Sequence, residues 1–184
     1  MTREQLAHLL RSASQTAEDP EILVVGSQSI LGTFSERDLP EVAVLSMEAD
    51  LAWFHDDADA SKANAVDGAI GELSPFHELN SYYAQGVSVT TAKLPAGWRQ
   101  RVVPYDTSSS QPATAVCLEP HDLVISKLLA HRSKDLLFAT ALLEHGLVDI
   151  QVLRERVMDV PDAEPIAVRM AAMWIEATAR RLRQ

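Results

Sequence analysis

The sequence predicts one α/β domain, residues 1–184, in which a sheet-forming part precedes a helical part. A length of 184 residues suits a single domain. The apolar run Ile22–Val25 stops at a glycine, which is typical of a buried strand. From Pro120 onward almost every segment has the apolar spacing of a helix. We therefore expect an α/β core over residues 20–118 and a helical part over residues 119–184.

The α/β core is expected to begin after an N-terminal helix that ends at about Ala17. Thr2 and Gln5 have the spacing of a capping box for that helix. The apolar residues of the helix form one stripe, at Leu6, Leu9, Leu10 and Ala13. After the first strand, short elements alternate: a helix beginning within Ser27–Leu31, a strand within Val42–Phe54, a helix over Ser61–Leu73, and strands over Gly86–Lys93, Arg101–Tyr105 and Ala115–Leu118.

The helical part is expected to contain four helices. Their predicted ranges are Pro120–His131, Lys134–Glu144, Asp149–Met158 and Pro165–Arg183. The first starts at a proline, which suits the first turn of a helix. On the last helix, Met170, Met173 and Trp174 are predicted to face the core.

Composition and charge exclude several classes of protein. A net charge of −10 and a pI of about 5.0 argue against binding nucleic acid through a broad basic surface. The single Cys117 excludes an intramolecular disulfide and a CxxC zinc site. No apolar run reaches the ~18–20 residues of a membrane helix, and the N-terminal segment is too polar for a signal peptide. We therefore expect a cytoplasmic protein with no membrane partner.

Two carboxylates within the second predicted strand suggest a metal site. Residues two apart in a strand point to the same face, so Glu48 and Asp50 would lie side by side. A divalent cation relieves the repulsion between such a pair, and hard oxygen ligands suit Mg²⁺. The alternative interpretation is that both residues lie on the solvent face of an edge strand.

The Gly26-Ser27 pair at the end of the first strand suggests a phosphate site. Glycine allows a close approach of the backbone to a phosphate, and the Ser27 hydroxyl can donate a hydrogen bond to it. The alternative interpretation is an ordinary turn.

A cluster of basic residues opens the helical part. Lys127, His131 and Lys134 have the i, i+4, i+7 spacing of one helix face. The whole cluster comprises His121, Lys127, His131, Arg132 and Lys134. Beside paired carboxylates, such a face could hold a metal-bound nucleoside triphosphate. The alternative interpretation is a solvated helix surface.

Together these segments resemble the nucleotidyltransferase superfamily. The resemblance rests on Gly26-Ser27, on Glu48-x-Asp50, and on Asp-Leu-x-x-x-Lys-Leu-x-Ala-x-Arg-x-Lys-Asp over residues 122–135. It is nearest to small bacterial proteins of the abortive-infection and toxin–antitoxin type. It implies a DNA polymerase β-like fold with a twisted mixed sheet and flanking helices. It also implies Mg²⁺-dependent transfer of a nucleoside monophosphate from an NTP to a hydroxyl acceptor. That acceptor can be tRNA or a protein side chain, and an antitoxin protein is a further expected partner.

The resemblance assigns a role to each matching residue. Glu48 and Asp50 correspond to the metal carboxylates, and with Lys127 and Lys134 they form the expected catalytic set. The expected nucleotide-binding residues are Gly26, Ser27, Ser46, Lys127, Arg132, Lys134 and Asp135.

The sequence also departs from the pattern of the superfamily. The 20 residues between Ser27 and Glu48 exceed the usual spacing, and the first metal carboxylate is Glu where Asp is commoner. Many active members carry a third carboxylate on a following strand, and the segment Gly86–Lys93 contains none. Asp106 is poorly placed to replace it. The missing third carboxylate favours an alternative function, a catalytically weak or inactive binding module that acts through a protein partner. A purely structural α/β protein is a third possibility.

Overall fold

A computed structural model of the chain describes residues 1–182. Within that range, five strands form one sheet: β1 (Glu21–Val24), β2 (Glu48–Ala52), β3 (Tyr83–Gly86), β4 (Val103–Tyr105) and β5 (Thr114–Cys117). The α-helices of the same range are α1 (Arg3–Thr16), α2 (Glu41–Val44), α3 (Ser61–Ile70), α4 (Pro75–Asn80), α5 (Pro120–Ala130), α6 (Ser133–Glu144), α7 (Ile150–Val157) and α8 (Pro165–Arg181). Short 3₁₀ helices cover Ser27–Gly32, Val89–Thr91 and Trp98–Gln100.

The sheet is mixed, as the resemblance implies. The strand order is β3-β2-β1-β5-β4. The inner strand β1 pairs antiparallel with β2 and parallel with β5. The outer pairs are β2 with β3, which is parallel, and β4 with β5, which is antiparallel. The expected α/β fold with a mixed sheet and a helical C-terminal half is therefore confirmed.

The N-terminal helix forms as predicted. Thr2 caps α1, and the reciprocal contacts of the capping box with Gln5 are both present. The predicted apolar stripe is buried over its whole length, at Leu6, Leu9, Leu10 and Ala13. The helix therefore covers part of the hydrophobic core that the sheet also lines.

The second strand forms within its predicted segment, at Glu48–Ala52. Ahead of it, Glu41–Val44 forms a single helical turn after the extended residue Pro40. The alternation of Val42 and Val44 suggests a strand, but the turn places Ala43 in the core instead.

The predicted strand over Gly86–Lys93 is wrong. The strand is β3, which ends at Gly86, and the following residues form a 3₁₀ turn at Val89–Thr91. The Ser88 hydroxyl accepts a hydrogen bond from the Thr90 backbone N–H. This local contact favours a turn in place of a strand. A Cβ at Gly86 would lie 2.1 Å from the Ala63 carbonyl oxygen, so glycine allows α3 to pack directly on the end of β3.

The C-terminal helices begin and end close to the predicted positions. The predicted end of the last helix, Arg183, lies outside the described residues. The prediction that Met170 and Met173 face the core is wrong, because they are 41% and 65% exposed. Smaller side chains form the buried face of α8, at Ala171, Ile175, Thr178 and Ala179.

None of the helices in residues 1–182 combines the length and the apolar character that crossing a membrane requires.

Candidate nucleotide site

The turn after β1 lies directly against the acidic face of β2. The Val25 backbone N–H donates a hydrogen bond to the Asp50 carbonyl oxygen at 3.0 Å. At the next residue, a Cβ built on Gly26 would lie 1.6 Å from Asp50 Oδ2. The Asp50 carboxylate therefore occupies the space above the Gly26-Ser27 turn.

The two carboxylates of β2 share one face of the strand. Glu48 and Asp50 are half-buried, whereas Ala49 and Leu51 point the other way into the core. The pKa of Asp50 is raised to about 6, chiefly by burial and also by the negative charge of Glu48 and the hydrogen bond between the two side chains. The pair is thus a partly desolvated concentration of negative charge. It is not the free solvent face of an edge strand, because β3 covers the outer edge of β2.

Ser46 supports the start of β2. Its hydroxyl accepts a hydrogen bond from the Glu48 backbone N–H and donates one to the Glu48 carbonyl oxygen, each at 3.2 Å. The residue therefore helps to fix the backbone from which the first carboxylate projects.

A tyrosine on the neighbouring strand also contacts the carboxylate pair. The Tyr83 hydroxyl donates a hydrogen bond to Glu48 Oε2 at 3.2 Å. The His77 ring packs against the Tyr83 ring, and their centroids are 4.6 Å apart. Burial and the charge of Glu48 raise the pKa of Tyr83 to about 12, so its hydroxyl stays a donor at neutral pH. Sequence reasoning missed this contact, since it depends on the parallel pairing of β2 with β3.

A glutamine lies beside the carboxylate pair, at a position where a third carboxylate could stand. In the β2–β3 register Gln85 is opposite Asp50, and it lines the same pocket. Within residues 1–182 no group of three or more His, Cys, Asp or Glu side chains is arranged to hold a metal ion. The donor set still fits Mg²⁺, which binds proteins through one or two carboxylates and takes its other ligands from phosphates and water.

A pocket of about 350 Å³ opens above these residues. One wall comes from the β1 turn and β2, and the opposite wall comes from the end of α5 and the start of α6. Eight of the residues expected at the site line it: Gly26, Ser27, Ser46, Glu48, Asp50, Lys127, Arg132 and Lys134. Segments that are distant in sequence therefore converge on one cavity.

Lys127 projects from α5 into this pocket and is almost fully buried. Its side chain is 11% exposed, and its Nζ lies 3.5 Å from Asp135 Oδ1. Burial lowers the pKa of Lys127, and the negative charges of Asp135 and Asp50 oppose that shift. The ammonium group is therefore close enough to the carboxylate pair to respond to its charge.

Asp135 does not line the pocket, although the sequence assigns it to the nucleotide. Only 2% of its side chain is exposed, and both of its oxygens are engaged. Oδ2 lies 2.6 Å from the Arg132 Nε, and Oδ1 faces Lys127.

The expected helix face of Lys127, His131 and Lys134 does not exist. The helix α5 ends at Ala130, and His131 adopts a left-handed conformation with φ of 54°. The chain therefore changes direction before α6 begins. His131 does not line the pocket, whereas Lys134 reaches it from the start of α6.

Lys93 is a functional candidate that sequence reasoning missed. It lies in the exposed loop after the 3₁₀ turn and lines the pocket, together with Thr91 from the turn itself. Among the described residues, the pocket is lined by four cationic side chains, Lys93, Lys127, Arg132 and Lys134, and by two carboxylates. The site is thus net positive in a chain whose charge is −10, which suits a polyanionic ligand.

The comparison with protein families agrees with this geometry. A family model described as "Nucleotidyltransferase of unknown function (DUF6036)" matches residues 4–175, which is nearly the whole chain. The chain matches no curated protein and no solved structure. The matched segment includes both carboxylates, the glycine turn and the basic residues of α5 and α6. The chain therefore belongs to DUF6036, a family of nucleotidyltransferases of unknown function.

Proposed function

We propose that this protein transfers a nucleoside monophosphate from an NTP to a hydroxyl acceptor and that the transfer depends on Mg²⁺. The observation that carries the proposal is the position of the Asp50 carboxylate above the Gly26-Ser27 turn, beside Glu48 and across the pocket from Lys127. This arrangement brings metal ligands, a turn open to phosphate and a buried cation to one cavity.

Each group has a distinct task in this proposal. Glu48 and Asp50 would hold Mg²⁺, which when bound neutralises phosphate charge and stabilises the leaving pyrophosphate. The Ser27 hydroxyl donates a hydrogen bond to a phosphate oxygen. Lys127, Arg132 and Lys134 balance the remaining negative charge of the triphosphate. A triphosphate carries about four negative charges and one Mg²⁺ cancels two, so fixed cations must supply the rest in a partly desolvated site.

The acceptor must lose its hydroxyl proton as it attacks the α-phosphorus. Gln85 stands beside Asp50 on the next strand, and its amide can orient an acceptor but cannot accept that proton. We therefore expect slow turnover unless the acceptor or a partner supplies a base.

The biological setting follows from the resemblance alone and belongs to the proposal. The acceptor is then tRNA or a protein side chain, the protein acts in the cytoplasm, and an antitoxin protein controls it. None of these features is needed for the chemistry proposed for the pocket.

A second function is favoured by the same glutamine. Without a third carboxylate, the pocket could bind Mg²⁺ and an NTP and exert its effect through a protein partner without transfer. This binding module shares the site described above and differs only in the chemical step.

Pyrophosphate release separates the two functions. The protein is incubated with Mg²⁺, each NTP in turn and total tRNA or a mixture of proteins, and pyrophosphate is measured beside transfer of label from the α-phosphate. Transfer that disappears in Asp50→Asn supports the nucleotidyltransferase. Nucleotide binding without pyrophosphate release supports the binding module, and the absence of binding contradicts both.

A further inference from the structure

We propose that Asp135 is a positioning residue, which holds the Lys127 ammonium and the Arg132 guanidinium toward the carboxylate pair. The inference rests on the proposed function and assigns a role to one residue beside the nucleotide site. It also replaces the direct nucleotide contact expected from the sequence, because an ionised carboxylate facing a triphosphate would repel it.

The contacts of Asp135 separate it from the pocket and connect it to two pocket residues. The Arg132 Nε lies 2.6 Å from Oδ2, the Arg132 Nη2 lies 3.3 Å from Oδ1, and the Lys127 Nζ lies 3.5 Å from Oδ1. Both cations line the pocket, and Asp135 itself does not. One buried carboxylate thus orients two charges that face the cavity.

Arg132 needs such a partner to keep its direction. Its side chain is 58% exposed and would otherwise be free to turn into solvent. The guanidinium contacts the two oxygens of Asp135 as a fork, which fixes its plane as well as its position. Arg132 is at the N-cap position of α6, and Asp135 lies in the first turn of the same helix, so the contact is local.

Lys127 needs a partner for a different reason. A buried ammonium group is unfavourable unless it is paired, and Asp135 supplies the pair at all times, including when no phosphate is bound. The Phe138 ring centroid lies 6.0 Å from the Lys127 Nζ and adds a cation–π contact to the ammonium group. The ammonium group is therefore already oriented when a nucleotide arrives.

The chain offers a matched control for this proposal. Asp122 is also buried, with 1% of its side chain exposed, and it also contacts two cations. Its partners are Arg101 at 2.8 Å and Arg156 at 3.0 Å, and neither lines the pocket. Replacing Asp122 or Asp135 removes a buried carboxylate that contacts two cations. Only the replacement of Asp135 affects cations that line the pocket.

The test measures affinity and stability in parallel. Calorimetry with Mg²⁺ and ATP, and then with the other three NTPs, gives the affinity, and thermal unfolding gives the stability of each variant. Asp135→Asn should weaken binding by about tenfold or more, because two charge-assisted contacts lose their orientation. Asp122→Asn should lower the melting temperature and leave the affinity unchanged.

A double-variant comparison asks whether Asp135 acts through its partners. In an Arg132→Ala background, the loss caused by Asp135→Asn should be clearly smaller than in the original chain, since one of the two cations is gone. A purely structural role would give the same loss in both backgrounds. If Asp135→Asn does not fold, Arg132→Lys decides the question, because it keeps the charge of an exposed residue and removes the fork.

The outcomes distinguish this inference from the proposed function. If the original chain binds Mg²⁺ and an NTP but Asp135→Asn binds equally well, Asp135 has no positioning role and the proposed function stands. Equal losses in the two backgrounds, or unchanged affinity of Arg132→Lys, likewise overturn the positioning role alone. If the original chain binds none of the four NTPs, the proposed function fails and the inference fails with it.

Discussion

The Asp50 carboxylate fills the space that a side chain at Gly26 would need: a Cβ at position 26 would lie 1.6 Å from Asp50 Oδ2. The φ of Gly26 is −78°, a value that any residue adopts, so the position requires glycine for room and not for its backbone conformation. The candidate site depends on this contact, because it places the second carboxylate of β2 over the turn that follows β1.

Replacement of Gly26 by alanine should therefore displace the Asp50 carboxylate. We expect Gly26→Ala to lose most of its affinity for Mg²⁺ with an NTP and to lose about 1–3 kcal/mol of stability through overpacking. Calorimetry and thermal unfolding measure the two effects. Gly68→Ala is the matched control, since a Cβ at Gly68, inside α3, meets nothing within 4 Å. That control should be neutral or stabilising by about 0.5–1 kcal/mol. Normal nucleotide affinity in Gly26→Ala would show that the close contact is not needed for the site.

The raised pKa of Asp50 predicts how stability depends on pH. The pKa of Asp50 is raised from 3.8 to about 6 in the folded protein, chiefly by burial. Between these values the folded state holds a proton that the unfolded state has lost, so the contribution of Asp50 to stability falls as pH rises from about 4 to 6. A shift of this size corresponds to roughly 3 kcal/mol.

Comparison with Asp50→Asn isolates this effect in the absence of metal. We expect the variant to gain stability relative to the original chain as pH increases from 4 to 7, measured by denaturant unfolding at each pH. A difference between the two proteins that stays constant across this range would contradict the strained, partly desolvated state of the carboxylate pair.

The sequence predicted those parts of the site that local patterns encode. The run that ends at Gly26 and the two-residue spacing of Glu48 and Asp50 each depend on a few adjacent residues, and the structure brings these residues together. The basic residues of α5 and α6 also reach the pocket, although the break at His131 replaces the single predicted helix face.

The missed features depend on contacts between distant segments. Tyr83 contacts Glu48, and Gln85 lies opposite Asp50, only because β3 pairs with β2. A four-residue strand has too few positions for a clear periodicity. The neighbouring helix α4, six residues long, was missed for the same reason. On α8, the pattern shows apolar residues on several faces but not which face the rest of the chain covers, so Met173 was wrongly placed in the core.

Lys127 should contribute strongly to nucleotide affinity. We expect Lys127→Ala to weaken binding of Mg²⁺ with an NTP by about tenfold or more, because a charge-assisted contact is worth roughly 1.5–3 kcal/mol. Lys62→Ala serves as the control, since Lys62 forms a partly buried ion pair with Asp19 at 2.6 Å and does not line the pocket. Equal affinities of the two variants by calorimetry would leave Lys127 without a role in binding.

A substitution at Gln85 tests whether the lack of a third carboxylate limits transfer. A carboxylate at this position would lie opposite Asp50 on the parallel strand, where it could accept the acceptor proton. We expect Gln85→Glu to increase Mg²⁺-dependent pyrophosphate release by at least about tenfold, because general-base catalysis contributes at least this much. Gln85→Met, of similar size, should not increase it. If Gln85→Glu binds nucleotide normally but releases no more pyrophosphate, the glutamine is not what limits transfer.

Whether the nucleotide binds at the carboxylates of β2 is decided by calorimetric titration of Mg²⁺ and an NTP into the original chain and into Asp50→Asn, with melting temperatures measured alongside. We expect the original chain to bind at least one NTP only when Mg²⁺ is present. It should be stabilised by about 2.7 kcal/mol at a hundredfold excess of ligand over the Kd. Asp50→Asn should fold and show neither the Mg²⁺-dependent binding nor the stabilisation. Binding of equal strength in Asp50→Asn, or no binding of any NTP by the original chain, would contradict a nucleotide site built on the carboxylates of β2.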